Sequence, residues 1–328
     1  MLKQAIFIME CSRIFSLPTT LFSWLVIFVY SISEDGNVLF GLTALIGLIF
    51  AHLGTNLIDD YFDYKSLIKR VDFDKAEYLK NSQKTKCRYL ISGAMKESQL
   101  LSISATYFTI ALFIGLFLYL KCGIGVLYFA LVGALISIMY PFLSRICLSE
   151  LAVSLAYGPA LFGGVYYVMT GLYSKEVFIL SIPTMIVTTI LLYIHTIMDY
   201  KFDLAEGKAT LANRFKEQLD SLIVLKVLSV LAYVSLVLLC IFDILDWQVF
   251  VVYLTIPLAI DLYKSLENYI KEPDKSPVRR WYHFPMEKLP DFEKQGEASF
   301  MFRMLQTRNL MMYFSSLLVL SMLLCLYL

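Results

Sequence analysis

Charge is scarce in this 328-residue sequence: 17% of residues are Asp, Glu, Lys or Arg, against about a quarter in an ordinary soluble domain. With 59% hydrophobic residues beside it, that shortfall excludes a water-soluble globular chain. Cysteine is also sparse. The six present, Cys11, Cys87, Cys122, Cys147, Cys240 and Cys325, show no CxxC or Cys/His spacing, so neither a disulfide framework nor a zinc site is expected. No linker rich in Gly or Ser divides the chain, and a single membrane domain over residues 1–328 is the simplest reading. Met1 to Arg13 runs into a full-length apolar span without a small-residue cleavage pattern, so no cleaved signal peptide is read there. The net charge of +1 says little, because the charges are segregated, and no nucleic-acid partner is expected.

What is present is long apolar runs, and about 20 such residues suffice to cross a bilayer. Nine spans are read, at roughly 14–33, 38–58, 100–120, 123–143, 151–173, 176–198, 221–243, 247–263 and 308–327. The expected class is an all-α polytopic membrane protein, about nine transmembrane helices around a central cavity. The loops at about 59–99, 199–220 and 264–307 hold most of the Lys and Arg, and the alternating connections are short and poor in base. The positive-inside rule makes the long loops cytoplasmic, with the amino terminus inside and the carboxyl terminus outside. Orientation and contact with anionic membrane lipid account for most of those lysines.

Two acidic clusters lie on that same side. Asn56, Asp59, Asp60 and Asp63 follow the second span at i, i+3, i+4 and i+7, one face of a helix. Carboxylates packed so closely repel one another and call for a cation, which a hard divalent ion with oxygen ligands supplies best. Asp199 and Asp203 follow the sixth span at i, i+4, with Glu206 near their face. His52 precedes Asn56 by four residues and His195 precedes Asp199 by four; each is read as a hydrogen-bonding group of the bundle in preference to a metal ligand. Two carboxylate-bearing helix ends with nearby bases suit Mg²⁺ ions bound on a diphosphate, with Arg and Lys taking the remaining phosphate charge. An apolar cavity would receive an attached hydrocarbon tail.

These motifs resemble the UbiA-type intramembrane prenyltransferase superfamily over nearly the whole chain. The first reads Asn56-Leu57-Ile58-Asp59-Asp60-Tyr61-Phe62-Asp63-Tyr64-Lys65, and the second runs from Asp199 through Asp203 to Gly207-Lys208-Ala209-Thr210-Leu211. Arg88-Tyr89-Leu90-Ile91-Ser92-Gly93 and Arg13-Ile14-Phe15-Ser16-Leu17-Pro18 resemble further family segments. The first motif, with Ser149-Glu150-Leu151 and Tyr157-Gly158-Pro159, is most similar to the branch that prenylates 1,4-dihydroxy-2-naphthoate. The chain departs from the family at His195 and Met198, where Asn and Arg are usual, and at Ser144, where a lysine precedes Arg145. The segment from Lys264 to Thr307 is longer than expected, and is read as a lid, a partner surface or a plain loop.

The resemblance implies Mg²⁺ held by Asn56, Asp60, Asp63, Asp199 and Asp203, with Asp60, Asp63, Asp199 and Asp203 catalytic. Asn56, Asp59, Lys65, Arg88, Arg145, His195 and Lys208 are the candidate substrate-binding residues, Asp59 either on metal or holding a neighbouring base. The expected partners are a prenyl diphosphate and a naphthoate-like aromatic acceptor, in a bacterial inner membrane. The same site could cyclise a prenyl diphosphate without an acceptor. A cation transporter would place its acids nearer mid-span.

Overall fold

The computed structural model describes residues 2–70, 73–80, 87–205, 209–272, 276–286, 289–294 and 298–327. Glu206, Gly207 and Lys208, and of the basic loop residues Lys84, Lys86, Lys275 and Lys288, lie outside the described residues. Nine helices among the described residues are long and apolar enough to cross a membrane. The only β-pairing there is one isolated bridge between Ile146 and Ala209. The chain is an all-α polytopic integral membrane protein.

In order, the helices are α1 (Leu2–Cys11), α2 (Leu17–Ser33), α3 (Val38–Ile68), α4 (Lys75–Lys80), α5 (Arg88–Ile91), α6 (Glu97–Cys122), α7 (Gly125–Leu143), α8 (Ser149–Leu155), α9 (Leu161–Thr170), α10 (Lys175–Met198), α11 (Tyr200–Ala205), α12 (Leu222–Ile241), α13 (Ile256–Lys271), α14 (Leu289–Lys294) and α15 (Ala298–Tyr327). A 3₁₀ stretch, Trp247–Thr255, runs directly into α13.

The side chain of Asn37 opens α3 by accepting from the Phe40 N–H at 3.2 Å. The helix then runs for 31 residues, roughly 46 Å at 1.5 Å per residue, against a hydrocarbon layer of about 30 Å. Its last turns therefore stand clear of that layer, and they carry the first acidic motif. The expected span ended at 58 because hydropathy ends there, although the helix does not. The eighth span likewise ends at Lys271, not 263. Beyond Leu262 the sequence turns amphipathic, with Leu266 buried and Lys271 exposed, so the helix continues after its apolar run has stopped.

Between α8 and α9 the chain passes through a π turn, Ala156–Ala160. Pro159 has no N–H to continue the ladder, and Gly158 adopts φ −94°, ψ −109°. The kink brings the Tyr157 hydroxyl to 2.6 Å from His52 Nδ1 on α3.

The main core is built from Trp24 and Ile27 of α2, Phe162 and Tyr166 of α9, Leu180 of α10, Leu236 of α12 and Phe314 of α15. Two smaller clusters flank the acidic motifs. Cys11, Leu57, Tyr78, Cys87, Leu90 and Ile91 join α1 and the 73–95 region to the end of α3. Tyr193, Ile197, Tyr200, Leu222, Leu262 and Leu310 surround the end of α10.

Candidate active site

The first motif is gripped by the junction between α1 and α2. Asn56 Nδ2 donates to the Ser12 carbonyl at 3.0 Å and lies 3.2 Å from Ser16 Oγ. The Arg13 guanidinium pairs with Asp59 Oδ2 at 3.4 Å and with Asp60 Oδ1. Asp60 is 2% exposed; its Oδ2 accepts from the Tyr89 hydroxyl at 2.8 Å, and its carbonyl from Cys87 Sγ at 3.1 Å. Burial opposes the charge on Arg13, but Asp60 and Asp59 outweigh it and hold the guanidinium above its ordinary pKa. Burial and then Asp60 push the Tyr89 phenol up, so it stays protonated and donates.

Arg13 and Cys87, which both touch Asp60, have left-handed backbones, at φ 57° and φ 55°. For residues with a side chain that conformation costs on the order of 1–3 kcal/mol each, and such strain gathers at functional sites. Asp59 thus contacts a base, Arg13.

One turn deeper, His52 is tied into the bundle. Its Nε2 lies 2.7 Å from Ser16 Oγ, and its Nδ1 lies 2.7 Å from Thr20 Oγ1 and 2.6 Å from the Tyr157 hydroxyl. The ring links α2, α3 and the π turn.

In the second motif, Asp199 caps α10, and the Asp203 N–H donates to its carbonyl at 2.8 Å, so the two acids stay one turn apart. His195 Nδ1 lies 3.1 Å from Asp199 Oδ2, and the edge of Phe300 meets the imidazole ring. Buried Glu150 accepts from Ser149 Oγ at 2.9 Å and from Thr196 Oγ1 at 3.5 Å, three residues before Asp199. Thr210, in the motif's tail, is buried with its hydroxyl unpaired among the described residues.

The α7–α8 linker touches both motifs. Arg145 Nη2 donates to the Phe62 carbonyl at 3.4 Å, and the Cys147 N–H donates to the Ala209 carbonyl at 2.8 Å. A three-residue stretch spans at most about 11 Å. The two acidic segments therefore flank one short piece of chain.

The other expected bases are engaged locally. Lys65 pairs with Glu97 at the start of α6 and sits 5.6 Å from the Tyr61 ring centroid. Arg88 Nη2 donates to the Leu79 carbonyl at 2.6 Å. Arg13 and Tyr89 bond Asp60, Tyr157 bonds His52 and Glu150 bonds Thr196, and none of the four is marked as a site residue from sequence. Arg13 stood in a recognised segment, but nothing local connects it to acids 46 and 47 positions away.

A family model, the UbiA prenyltransferase family, matches residues 16–286. The chain belongs to the UbiA prenyltransferase family. Solved structures share the UbiA fold with it at low identity. One, described by its work on the biosynthesis of digeranylgeranylglyceryl phosphate synthase in membranes, is 18% identical with TM-score 0.58, covering 96% of this chain and 99% of that one. The apo UbiA homologue of Aeropyrum pernix K1 is 14% identical with TM-score 0.56, covering 94% and 98%. The UbiA homologue of Archaeoglobus fulgidus bound to GPP and Mg²⁺ is 13% identical with TM-score 0.58, covering 92% and 99%. No curated protein matches the sequence.

The UbiA site's own acids show whether it suits Mg²⁺. The donors are hard oxygens, and the first motif already carries a cation, Arg13, on Asp59 and Asp60. Among the described residues no three His, Cys, Asp or Glu side chains converge to hold an ion unaided. An ion here would have to be completed by water and substrate oxygens, which is how Mg²⁺ binds diphosphates. The residues fit. Asp60, with both oxygens on protein donors, reaches metal only by exchanging one of them.

Proposed function

We propose that this protein transfers a prenyl group from a prenyl diphosphate to an aromatic acceptor, with 1,4-dihydroxy-2-naphthoate the acceptor its first motif favours. The observation that carries the reading is the linker from Arg145 to Cys147, bonded to the first acidic segment on one side and the second on the other. A diphosphate held between two acidic motifs needs that proximity.

Asn56, Asp60, Asp63, Asp199 and Asp203 would hold Mg²⁺. Bound there, the metal neutralises the diphosphate and makes it a better leaving group. Arg145 stands beside the first motif and donates to phosphate oxygens, joined by Arg88, Lys65 and Lys208. Arg13 and Tyr89 orient Asp60, and His195 orients Asp199. The allylic C–O bond breaks, diphosphate leaves with the electron pair, and the electron-rich ring attacks the resulting cation. In a dihydroxynaphthoate the carboxyl at the attacked carbon departs as CO₂, leaving its bonding electrons to restore the aromatic ring. The site opens toward the cytoplasm, on the side of the basic loops, in a bacterial inner membrane.

The test is a mass-spectrometric product assay on purified protein, pairing prenyl diphosphates of several lengths with naphthoate and benzoate acceptors, with and without Mg²⁺. A prenylated naphthoate made only with Mg²⁺, and lost in Asp60→Ala and Asp199→Ala, is the expected result. A cyclised hydrocarbon made without any acceptor would overturn the acceptor assignment. Full activity in either variant would overturn the metal assignment.

A further inference from the structure

Residues 276–286, between α13 and α14, are built the wrong way round for a loop in water. Three successive carbonyls are capped by side chains of α15. Asn309 Nδ2 donates to His283 at 2.6 Å and to Pro285 at 2.9 Å; the Tyr313 hydroxyl donates to Phe284 at 2.6 Å, and Arg308 Nη2 to Pro285 at 2.8 Å. Polar side chains turn inward too: Tyr282 donates to Asp261 of α13, with Arg280 Nε at 3.2 Å and His283 Nε2 at 3.4 Å from the same oxygen. The apolar side chains point outward. Trp281 is 88% exposed, Phe284 68% and Val278 66%.

The depth of this segment follows from what holds it. On α15, Ser316, Leu320 and Leu323 are exposed and form its lipid-facing stripe. Stepping back by three and four residues along that stripe reaches Tyr313 and Asn309, the residues that anchor the segment. On α13, Ile260, next to Asp261, is exposed as well. Asn309 lies about 16 Å along α15 from Ala298, and Asp261 about 15 Å along α13 from Lys271. The segment therefore folds back from the helix ends toward the bilayer, across the lipid-facing side of both helices.

We propose that residues 276–286 form a re-entrant interfacial strap, with Val278, Trp281 and Phe284 embedded at the headgroup–acyl boundary of the leaflet on the acidic-motif side. In that layer an unpaired carbonyl is costly, which accounts for the capping, and aromatic rings are favoured. The occupant is lipid because the outward surface continues the lipid-facing stripe. The anchor is apolar: Arg279 pairs with Glu293 and Arg280 with Asp261, so both guanidinium groups, though half exposed, are already neutralised by carboxylates of the protein. Tyr282 and Tyr313 pack into the same cluster as Tyr193, Ile197 and Tyr200, so the strap joins the bilayer surface to the second acidic motif.

The experiment is tryptophan emission of the full-length protein in phosphatidylcholine vesicles, taken as wild type minus Trp281→Phe. Trp281 makes few contacts with the rest of the protein, so the substitution leaves the fold in place, and circular dichroism verifies that. The Trp281 signal is expected to be blue-shifted, to lose most of its intensity when the acyl chains are brominated near the headgroup, and to resist iodide. High salt is expected to change none of this. Iodide quenching without a bromolipid effect would place the strap in water, open to a soluble partner, and overturn the proposal. A Phe284→Ser variant is expected to raise iodide access to Trp281; unchanged access would count against the embedded wedge.

Discussion

Arg13→Ala removes a cation that pairs with both Asp59 and Asp60. Both carboxylates are buried, at 6% and 2% exposure. Deleting one partner of a buried ion pair costs about 3–5 kcal/mol, because the other charge stays behind uncompensated. Two features set the lower end of that range. The Arg13 side chain is 25% exposed, so water enters when it is removed, and Tyr89 still donates to Asp60 Oδ2. The expected loss is about 3 kcal/mol. It is measured by denaturant titration in detergent micelles for Arg13→Ala, Asp60→Asn and the double variant. Asp60→Asn is expected to be far less harmful once Arg13 is gone, with a coupling of about 2 kcal/mol. Arg13→Lys restores the charge but not the fork that reaches two carboxylates, and recovers only part of the loss. Single-variant losses that add to within about 0.5 kcal/mol would refute the pairing.

Other outcomes follow from the same geometry. If Arg13 occupies the place of a cation, Mg²⁺ with inorganic diphosphate should raise the melting temperature of Arg13→Ala more than that of wild type; equal shifts would show that the two cations do not compete. Gly163 lies against the Phe129 ring, which a Cβ would overlap, so Gly163→Ala should lower stability by about 1–3 kcal/mol in the same titration. Burial holds His283 below the ordinary histidine range, against the pull of Asp261. A lowered folded-state pKa means that its stabilising contribution is in place at neutral pH and is lost as pH falls below about 6.5. Acidification should therefore loosen the 276–286 strap, seen as iodide access to Trp281, and His283→Gln should abolish that pH step.

The spans were legible because hydropathy over about 20 residues has few other causes in a chain so poor in charge. The first acidic motif was legible because Asn56, Asp59, Asp60 and Asp63 share a face only if α3 continues past its apolar run, which it does. Ion pairs were not legible. Lys65 and Arg88 are candidates for phosphate, and sequence counts such charges without showing that Glu97 and the Leu79 carbonyl engage them as well. Arg13 was hidden for a related reason, since its partners are set by how α1 and α2 fold onto α3. From sequence the segment stays open between a lid, a partner surface and a plain loop, because its anchors are Asp261, Asn309 and Tyr313, polar residues on the flanking helices.

The linker from Arg145 to Cys147 ties two segments that are far apart in the sequence, by two tethers of different stiffness. The Cys147 N–H holds the Ala209 carbonyl at 2.8 Å, backbone to backbone. The other tether is a long, exposed arginine side chain that reaches the Phe62 carbonyl at 3.4 Å. The tail of the second motif is therefore docked firmly on the linker, while the first motif keeps play against it. One residue inserted between Arg145 and Cys147 would be taken up by that side chain before it displaced the acids of α3.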